Sequence, residues 1–312
     1  MFFTWSSLSE LSRAIRRTPF EGVSEELRGW SYSEPPVAPT YSAKLGVSDI
    51  VSGFCDTGRN VYVKYVLKAR QRPNPILERG SIVHAVHEYA VSQAKKLVYS
   101  LPRLSGDAYL DAFMKGLDEV KAEILASTRA YDLEKASWLI SELWRKAGLI
   151  YSAELERALA RSRHLSRGSI AALIAPELAE FPVDGTLVGL TPTLRLDSLL
   201  PTGIIVEIKS RPFREEYLLA LAGYALAFES QYEVPMDFGV LLQVSVNEKR
   251  RDIKFYTRIV PVSDDLRVAF LEKRDALAEA VSTGADPGMP DACSPACPYL
   301  HVCKPGRVAE RP

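Results

Sequence analysis

Amide side chains are scarce in this sequence: asparagine occurs only at 60, 74 and 247, and glutamine only at 71, 93, 231 and 243. Depletion of these heat-labile residues beside abundant Lys, Arg and Glu points to a thermophilic source. No run of about 18 apolar residues exists, which excludes a membrane-spanning helix. The opening "MFFTWSSLSELSRAIRR" becomes charged at Glu10 and Arg13, too early for the apolar core of a signal peptide. An excess of either charge is missing too. With 39 basic and 39 acidic residues the net charge is zero, so a polyanion must be met by local basic patches rather than a global field. The chain reads as soluble and cytoplasmic.

Cysteine is confined to Cys55, Cys293, Cys297 and Cys303. Two disulfides are uncommon in a reducing cytosol, although intracellular proteins of hyperthermophiles do carry them. Three of the four crowd into "CSPACPYLHVC", a spacing that points to thiolate ligation instead.

What is present is enough chain, 312 residues, to build a full hydrophobic core without staples. Residues 1–40 hold an amphipathic helix over about 7–17 and a Pro-rich connector, "SEPPVAPTYSAKLG" being its densest part. Residues 41–168 are helical, with Cys55 at a helix end or turn near Gly53 and Gly58 and helical spacing over 77–99, 106–128 and 132–164. Residues 169–262 change texture to short β-branched runs separated by Pro and Gly, interrupted by one alanine-rich helix, "FREEYLLALAGYALAFES". Residues 263–312 give a last helix and the three-cysteine segment. No clean break follows the connector, so the expected fold is α+β around one central sheet, a single cooperative unit.

The run "GIIVEIKS" at 203–210 carries two charges in an otherwise apolar strand. Strand side chains alternate faces, so Ile204, Val206 and Ile208 share one face while Ile205, Glu207 and Lys209 share the other. Asp197 closes "TLRLD", and "LLPTG" lies between the two runs. A hairpin there brings two carboxylates together. Without a cation they repel and one keeps its proton, whereas a divalent ion removes that cost. Lys209 then stands ready to orient water and to stabilise charge on a phosphate. The alternative is a solvated Asp, Glu and Lys trio on a surface. The helix over 77–99 adds His84, one turn after Gly80 and one turn before Glu88.

"GSIVH", then Asp197, then "EIK", then a helix containing Tyr224, resembles the RecB-type nucleases of the PD-(D/E)xK superfamily, whose motifs run GxxxH, D, ExK and QxxxY. With one cysteine upstream and three at the C-terminal end, the chain resembles the CRISPR-associated exonucleases of the Cas-four family. The stretches "LGVSDIVSGFC" and "VYVKYV" and the overall length are most similar to the archaeal Csa variety. The resemblance covers residues 45–305 and implies a RecB-like core, a mixed sheet flanked by helices.

By that resemblance His84, Asp197, Glu207 and the carbonyl of Ile208 ligate Mn²⁺ or Mg²⁺, with Asp197, Glu207 and Lys209 catalytic. An imidazole among oxygen ligands leans the site toward Mn²⁺. Tyr224 takes the tyrosine role of QxxxY near the DNA path, with Tyr217 on roughly the same helical face. The sequence departs from the motif at Ala220, which stands where the family has Gln. The cysteines at 55, 293, 297 and 303 are implied to hold an iron–sulfur cluster, usually 4Fe-4S. Their C-x3-C-x5-C spacing is one residue longer than the family's usual C-x2-C-x5-C, and zinc is the alternative.

The function implied is a metal-dependent DNA exonuclease that trims ends, chiefly of single strands, for CRISPR spacer acquisition beside the CRISPR integrase proteins. The alternative is a DNA-binding or assembly subunit with negligible cleavage, and a plain electron carrier leaves the acid, lysine and histidine pattern unexplained. Candidate phosphate contacts are Lys64, Lys68, Arg70 and Arg72, then Arg157, Arg161, Arg163 and Arg167, and Lys249, Arg250 and Arg251, with Tyr62 and Tyr65 as stacking candidates.

Overall fold

The computed structural model of the protein describes residues 1–162 and 164–304. Its helices before the sheet are α1 (Trp5–Ile15), α2 (Val47–Ile50), α3 (Arg59–Tyr65), α4 (Pro75–Ser100), α5 (Gly106–Lys115), α6 (Leu117–Ser127), α7 (Leu133–Arg161) and α8 (Arg167–Ile174). Strands β1 (Leu178–Val183), β2 (Leu194–Leu200) and β3 (Ile204–Lys209) follow, then α9 (Glu216–Tyr232), β4 (Phe238–Asn247), β5 (Asp252–Pro261), α10 (Asp264–Thr283) and α11 (Leu300–Cys303). None of the described helices is long and apolar enough to cross a membrane.

Helix α4 begins where the sequence signals it. Asn74 caps it by accepting from the N–H groups of Ile76 and Leu77, and Pro75 occupies the first turn, where its missing N–H costs nothing. Its buried stripe of Ile82, Val83, Val86, Ala90 and Ala94 packs on the core and leaves His84 on a different face. The single helical stretch expected over 106–128 is divided at Gly116. Glycine is a poor helix former, and here the Phe113 carbonyl accepts from the Trp144 indole at 2.9 Å as well as from the Gly116 N–H at 3.1 Å.

The five strands form one mixed sheet in the order β1-β2-β3-β4-β5. All neighbours are antiparallel except β3 and β4, which run parallel. A parallel pair needs a crossover, and α9 supplies it. Each face covers its own core. Ile204, Val206 and Ile208, with Val240 and Leu242, pack beneath α1, α4, α5, α7 and α8. Ile205 and Leu241 pack beneath α9 and α10. The alternation expected for "GIIVEIKS" therefore holds, and Glu207 and Lys209 sit on the α9 side.

A buried ion cluster fixes α9 against α10. Glu229, fully buried, takes two contacts from Arg267 at 2.7 and 2.8 Å and one from Arg28 at 3.0 Å. It also accepts the N–H groups of Gly29 at 2.8 Å and Met236 at 2.9 Å. A buried carboxylate so fully satisfied ties the N-terminal connector to the sheet's second core.

Candidate active site

A cleft of about 520 Å³ opens between α4 and the adjoining parts of β2, β3 and α9, and His84, Glu180, Asp197, Glu207, Lys209 and Tyr224 all line it. Gly80, His84 and Glu88 face it together, as their four-residue spacing predicts. Ile208 lines it as well.

Asp197 reaches the cleft through an irregularity in β2. Leu194 and Leu196 pack into the α9–α10 core, yet Leu200 packs into the opposite one, so the strand's alternation slips in between. The β1–β2 register, Ala179 with Ser198 and Phe181 with Leu196, sets Glu180 across from Asp197. Glu180 has a left-handed φ of 50°, rare for a residue with a side chain. On the other side the β2–β3 ladder stops at Ser198 and Val206, and the Asp197 carboxylate accepts the Ile208 N–H at 2.6 Å. The sequence puts Asp197 at the end of its strand. In the structure it lies in the middle of β2, because the strand continues through Ser198, Leu199 and Leu200 before the turn.

His84 Nδ1 lies 3.0 Å from Asp197 Oδ1. One donor atom each from His84, Glu180 and Asp197 lies within 4.8 Å of the others, close enough to share one cation. Glu207 stands slightly apart from this group. One of its oxygens pairs with Lys209, and Oε2 is buried without a hydrogen-bond partner. A bare buried carboxylate oxygen is costly, and a cation in the cleft is the kind of partner that would satisfy it. The donor set, one imidazole and three carboxylates, fits a divalent ion of the Mn²⁺ or Mg²⁺ class.

The electrostatics agree. Burial, then the charge of Asp197, pushes Glu207 up to about 7, against the counter-pull of Lys209. Burial opposes ionisation of Asp197, but the His84 charge and hydrogen bond, Lys209 and the Ile208 N–H together hold its pKa below the usual range. Burial likewise opposes charge on His84, and Asp197 outweighs it, raising the imidazole pKa. Lys209 is raised in the same way, burial being overcome by Glu207 and Asp197, so it stays an ammonium at neutral pH. Burial, then the charge of Asp197, also raises the pKa of Glu180, so of the three close acids only Asp197 is held below its usual range.

Glu180 is the residue that sequence reasoning missed. The available signal was an acid inside the strand run "PELAEF", the same kind of anomaly as Glu207. Tyr224 lines the cleft and is largely buried, and Tyr217 lies beneath Lys209, whose Nζ is 5.5 Å from its ring centroid. The basic runs go elsewhere. Lys64 pairs with Asp49 at 2.7 Å, Arg157 with Glu154 at 2.9 Å and Arg251 with Glu134 at 3.0 Å. Arg167 donates to the carbonyls of Leu101 at 2.7 Å and Pro102 at 3.1 Å, closing the end of α4. No described member of the three runs lines the cleft, and Arg163 lies outside the described residues. Tyr65 bonds Asp49 at 2.7 Å and the Gly46 N–H at 3.0 Å, a packing role rather than a stacking one.

Cys55 joins the three C-terminal cysteines around one small cavity, lined also by Phe54, Asn60, Pro290 and Leu300. All are free thiols. Burial, and the proximity of the other three, raises the pKa of Cys297. Arg59 Nη1 donates to Cys303 Sγ at 3.0 Å.

The model of the CRISPR-associated exonuclease Csa1 family matches residues 1–306. The chain belongs to this family. A CRISPR-associated exonuclease Csa1 of Saccharolobus solfataricus is 37% identical over 310 residues, covering 98% of this chain and 100% of that relative. One of Thermoproteus tenax is 33% identical over 303 residues, covering 96% of this chain and 99% of the relative. No solved structure gives a significant match. The Csa1 family match takes in His84, Glu180, Asp197, Glu207 and Lys209 and runs past Cys303, so the cleft and the cysteine cavity both lie inside it.

Proposed function

We propose that this chain is a metal-dependent DNA exonuclease of the Cas-four, RecB-like kind, trimming DNA ends for CRISPR spacer acquisition beside the CRISPR integrase proteins. The observation that carries the proposal is the convergence of His84, Glu180 and Asp197 within 4.8 Å in a cleft that also holds the unpartnered Glu207 oxygen and a charged lysine. His84, Asp197 and Glu180 would hold the cation, with Glu207 and the Ile208 carbonyl at its border. When bound, Mn²⁺ or Mg²⁺ would supply Lewis-acid polarisation of the scissile phosphate and activation of the attacking water. Lys209, kept protonated and steadied over Tyr217, stabilises the negative charge that develops on the phosphate. The Ile208 N–H and His84 fix the Asp197 carboxylate so that it need not reorganise. Tyr224 walls the cleft on the α9 side.

The cysteine cavity is assigned an iron–sulfur cluster, 4Fe-4S by preference. The support for this choice is the one-plus-three arrangement of the cysteines around one cavity, whereas structural zinc sites more often use two close pairs. A DNA-binding or assembly subunit with little cleavage is the second reading, favoured by Ala220, which is fully buried and gives the cleft no amide. One experiment separates them. Anaerobically purified protein is incubated with end-labelled single strands and Mn²⁺, beside Glu207→Gln and Lys209→Ala. Shortening from an end by the wild type alone supports the nuclease; binding without shortening supports the subunit.

A further inference from the structure

Arg211 is a cation in the cleft that pairs with none of the described acids. It lies two residues past Lys209, lines the same cleft and is half-buried. It forms no ion pair among the described residues; the side chains that act on it are Tyr217 and another cation, Arg214. Its guanidinium is instead held between two rings, 4.7 Å from the centroid of Phe54 and 5.1 Å from that of Tyr217. Cation–π contact of this kind fixes the plane of the fork while leaving its N–H donors free for an incoming acceptor.

The ring on one side belongs to the cysteine cavity. Phe54 precedes Cys55 and lines that cavity with it. A second contact joins the same segments, Arg214 Nη1 donating to the Gly53 carbonyl at 2.6 Å. Gly53 holds a left-handed φ of 61°, and a Cβ there would press on Arg214 Nη1 at 3.1 Å. The loop after β3 is thus docked on the segment that delivers Cys55.

We infer that Arg211 is the phosphate clamp of the cleft, gripping a nucleotide phosphate beside the one positioned over His84, Glu180 and Asp197, and that the Cys55 segment holds it in place through Phe54. This rests on the nuclease reading for its choice of ligand, a DNA phosphodiester. A half-buried guanidinium without a counter-ion gains most from an anion of fixed, bidentate geometry, and phosphate is such a partner. No described member of the basic runs lines the cleft, which leaves Arg211 and Lys209 as the basic side chains that do.

The test measures binding of fluorescein-labelled oligothymidine to the full chain in EDTA, across a salt series, so that cleavage does not intervene. Arg211→Ala is expected to weaken binding roughly ten- to a hundredfold, as loss of a charge-assisted contact does. The slope of log K against log salt should fall by about 0.7, one phosphate contact on a single strand. Arg211→Lys, which keeps charge and stem, should restore the slope but only part of the affinity. Phe54→Leu should weaken binding with the slope retained, since the charge remains and only its aim is lost. An Arg211→Ala protein that melts like the wild type and binds with unchanged affinity and slope overturns the inference. If that happens while the wild type still cleaves with Mn²⁺, the nuclease reading survives alone. Wild-type protein that binds through Arg211 yet never cleaves keeps the clamp and sinks the nuclease. Absence of any binding by the wild type in EDTA overturns the clamp, and cleavage with Mn²⁺ then decides the nuclease reading separately.

Discussion

Glu180 and Asp197 face each other across the β1–β2 pair, and His84 reaches down from α4 to within 3.0 Å of the aspartate. Three chain segments thus deliver one donor apiece to a single point, and the backbone of Glu180 leaves the ordinary strand region at that place. Irregular backbone beside a convergence of donors is where function is expected to reside.

Glu180→Gln is therefore expected to lower Mn²⁺ affinity by about tenfold or more, the scale on which groups around a metal are felt. Titration calorimetry on the anaerobic protein checks it. An unchanged dissociation constant would remove Glu180 from the ligand set.

The metal-free protein should lose stability as pH rises from about 4.5 to beyond 7. Glu207 keeps a proton in the folded state up to about 7, whereas the unfolded chain releases it in the ordinary glutamate range. Between those limits the folded state binds more protons, so its stability term is full below the lower limit and lost above the upper. His84, raised as well, acts in the same direction. Melting curves with EDTA at several pH values should show a steeper decline for the wild type than for Glu207→Gln, and parallel curves would refute the assignment. Added Mn²⁺ should stabilise more at pH 8 than at pH 6, because the ion then displaces no proton.

Arg267→Ala strips the buried Glu229 of its main partner and is expected to cost about 3–5 kcal/mol in denaturant unfolding. Arg157→Ala, which breaks a pair with one partner exposed, should cost about 1 kcal/mol or less. Equal losses at the two positions would contradict the claim that Glu229 anchors α9 to α10.

By the proposed cluster assignment, the wild type would be brown and contain iron, and Cys297→Ser should remove the colour and most of the iron and lower the melting temperature, since cluster assembly would contribute to folding. Stoichiometric zinc in a colourless wild-type protein would replace the cluster by a zinc site.

Much of this was legible in the sequence for a physical reason. Strand period and helix period are local properties, so the two faces of "GIIVEIKS" and the His84–Glu88 face follow directly from spacing. The convergence of Cys55 with the three C-terminal cysteines was carried by resemblance and is realised as one cavity. Glu180 was hidden because its role depends on a register and a backbone irregularity that no spacing encodes. Arg211 was hidden likewise, since its setting consists of aromatic neighbours from residues 54 and 217 and no ion pair among the described residues. No described member of the basic runs lines the cleft, because charge in sequence does not say which way a side chain faces. Lys64 and Arg157 pair with acids nearby in the chain, Arg251 with one from another segment, and Arg167 closes a helix end.

The cysteine cavity draws on both Cys55 and Cys303, and the Phe54 side of it braces the working cleft. Segments near residues 55 and 303 must therefore both be synthesised before that cavity is complete. On the reading proposed above, grip on nucleic acid would then be among the last properties that the folding chain acquires.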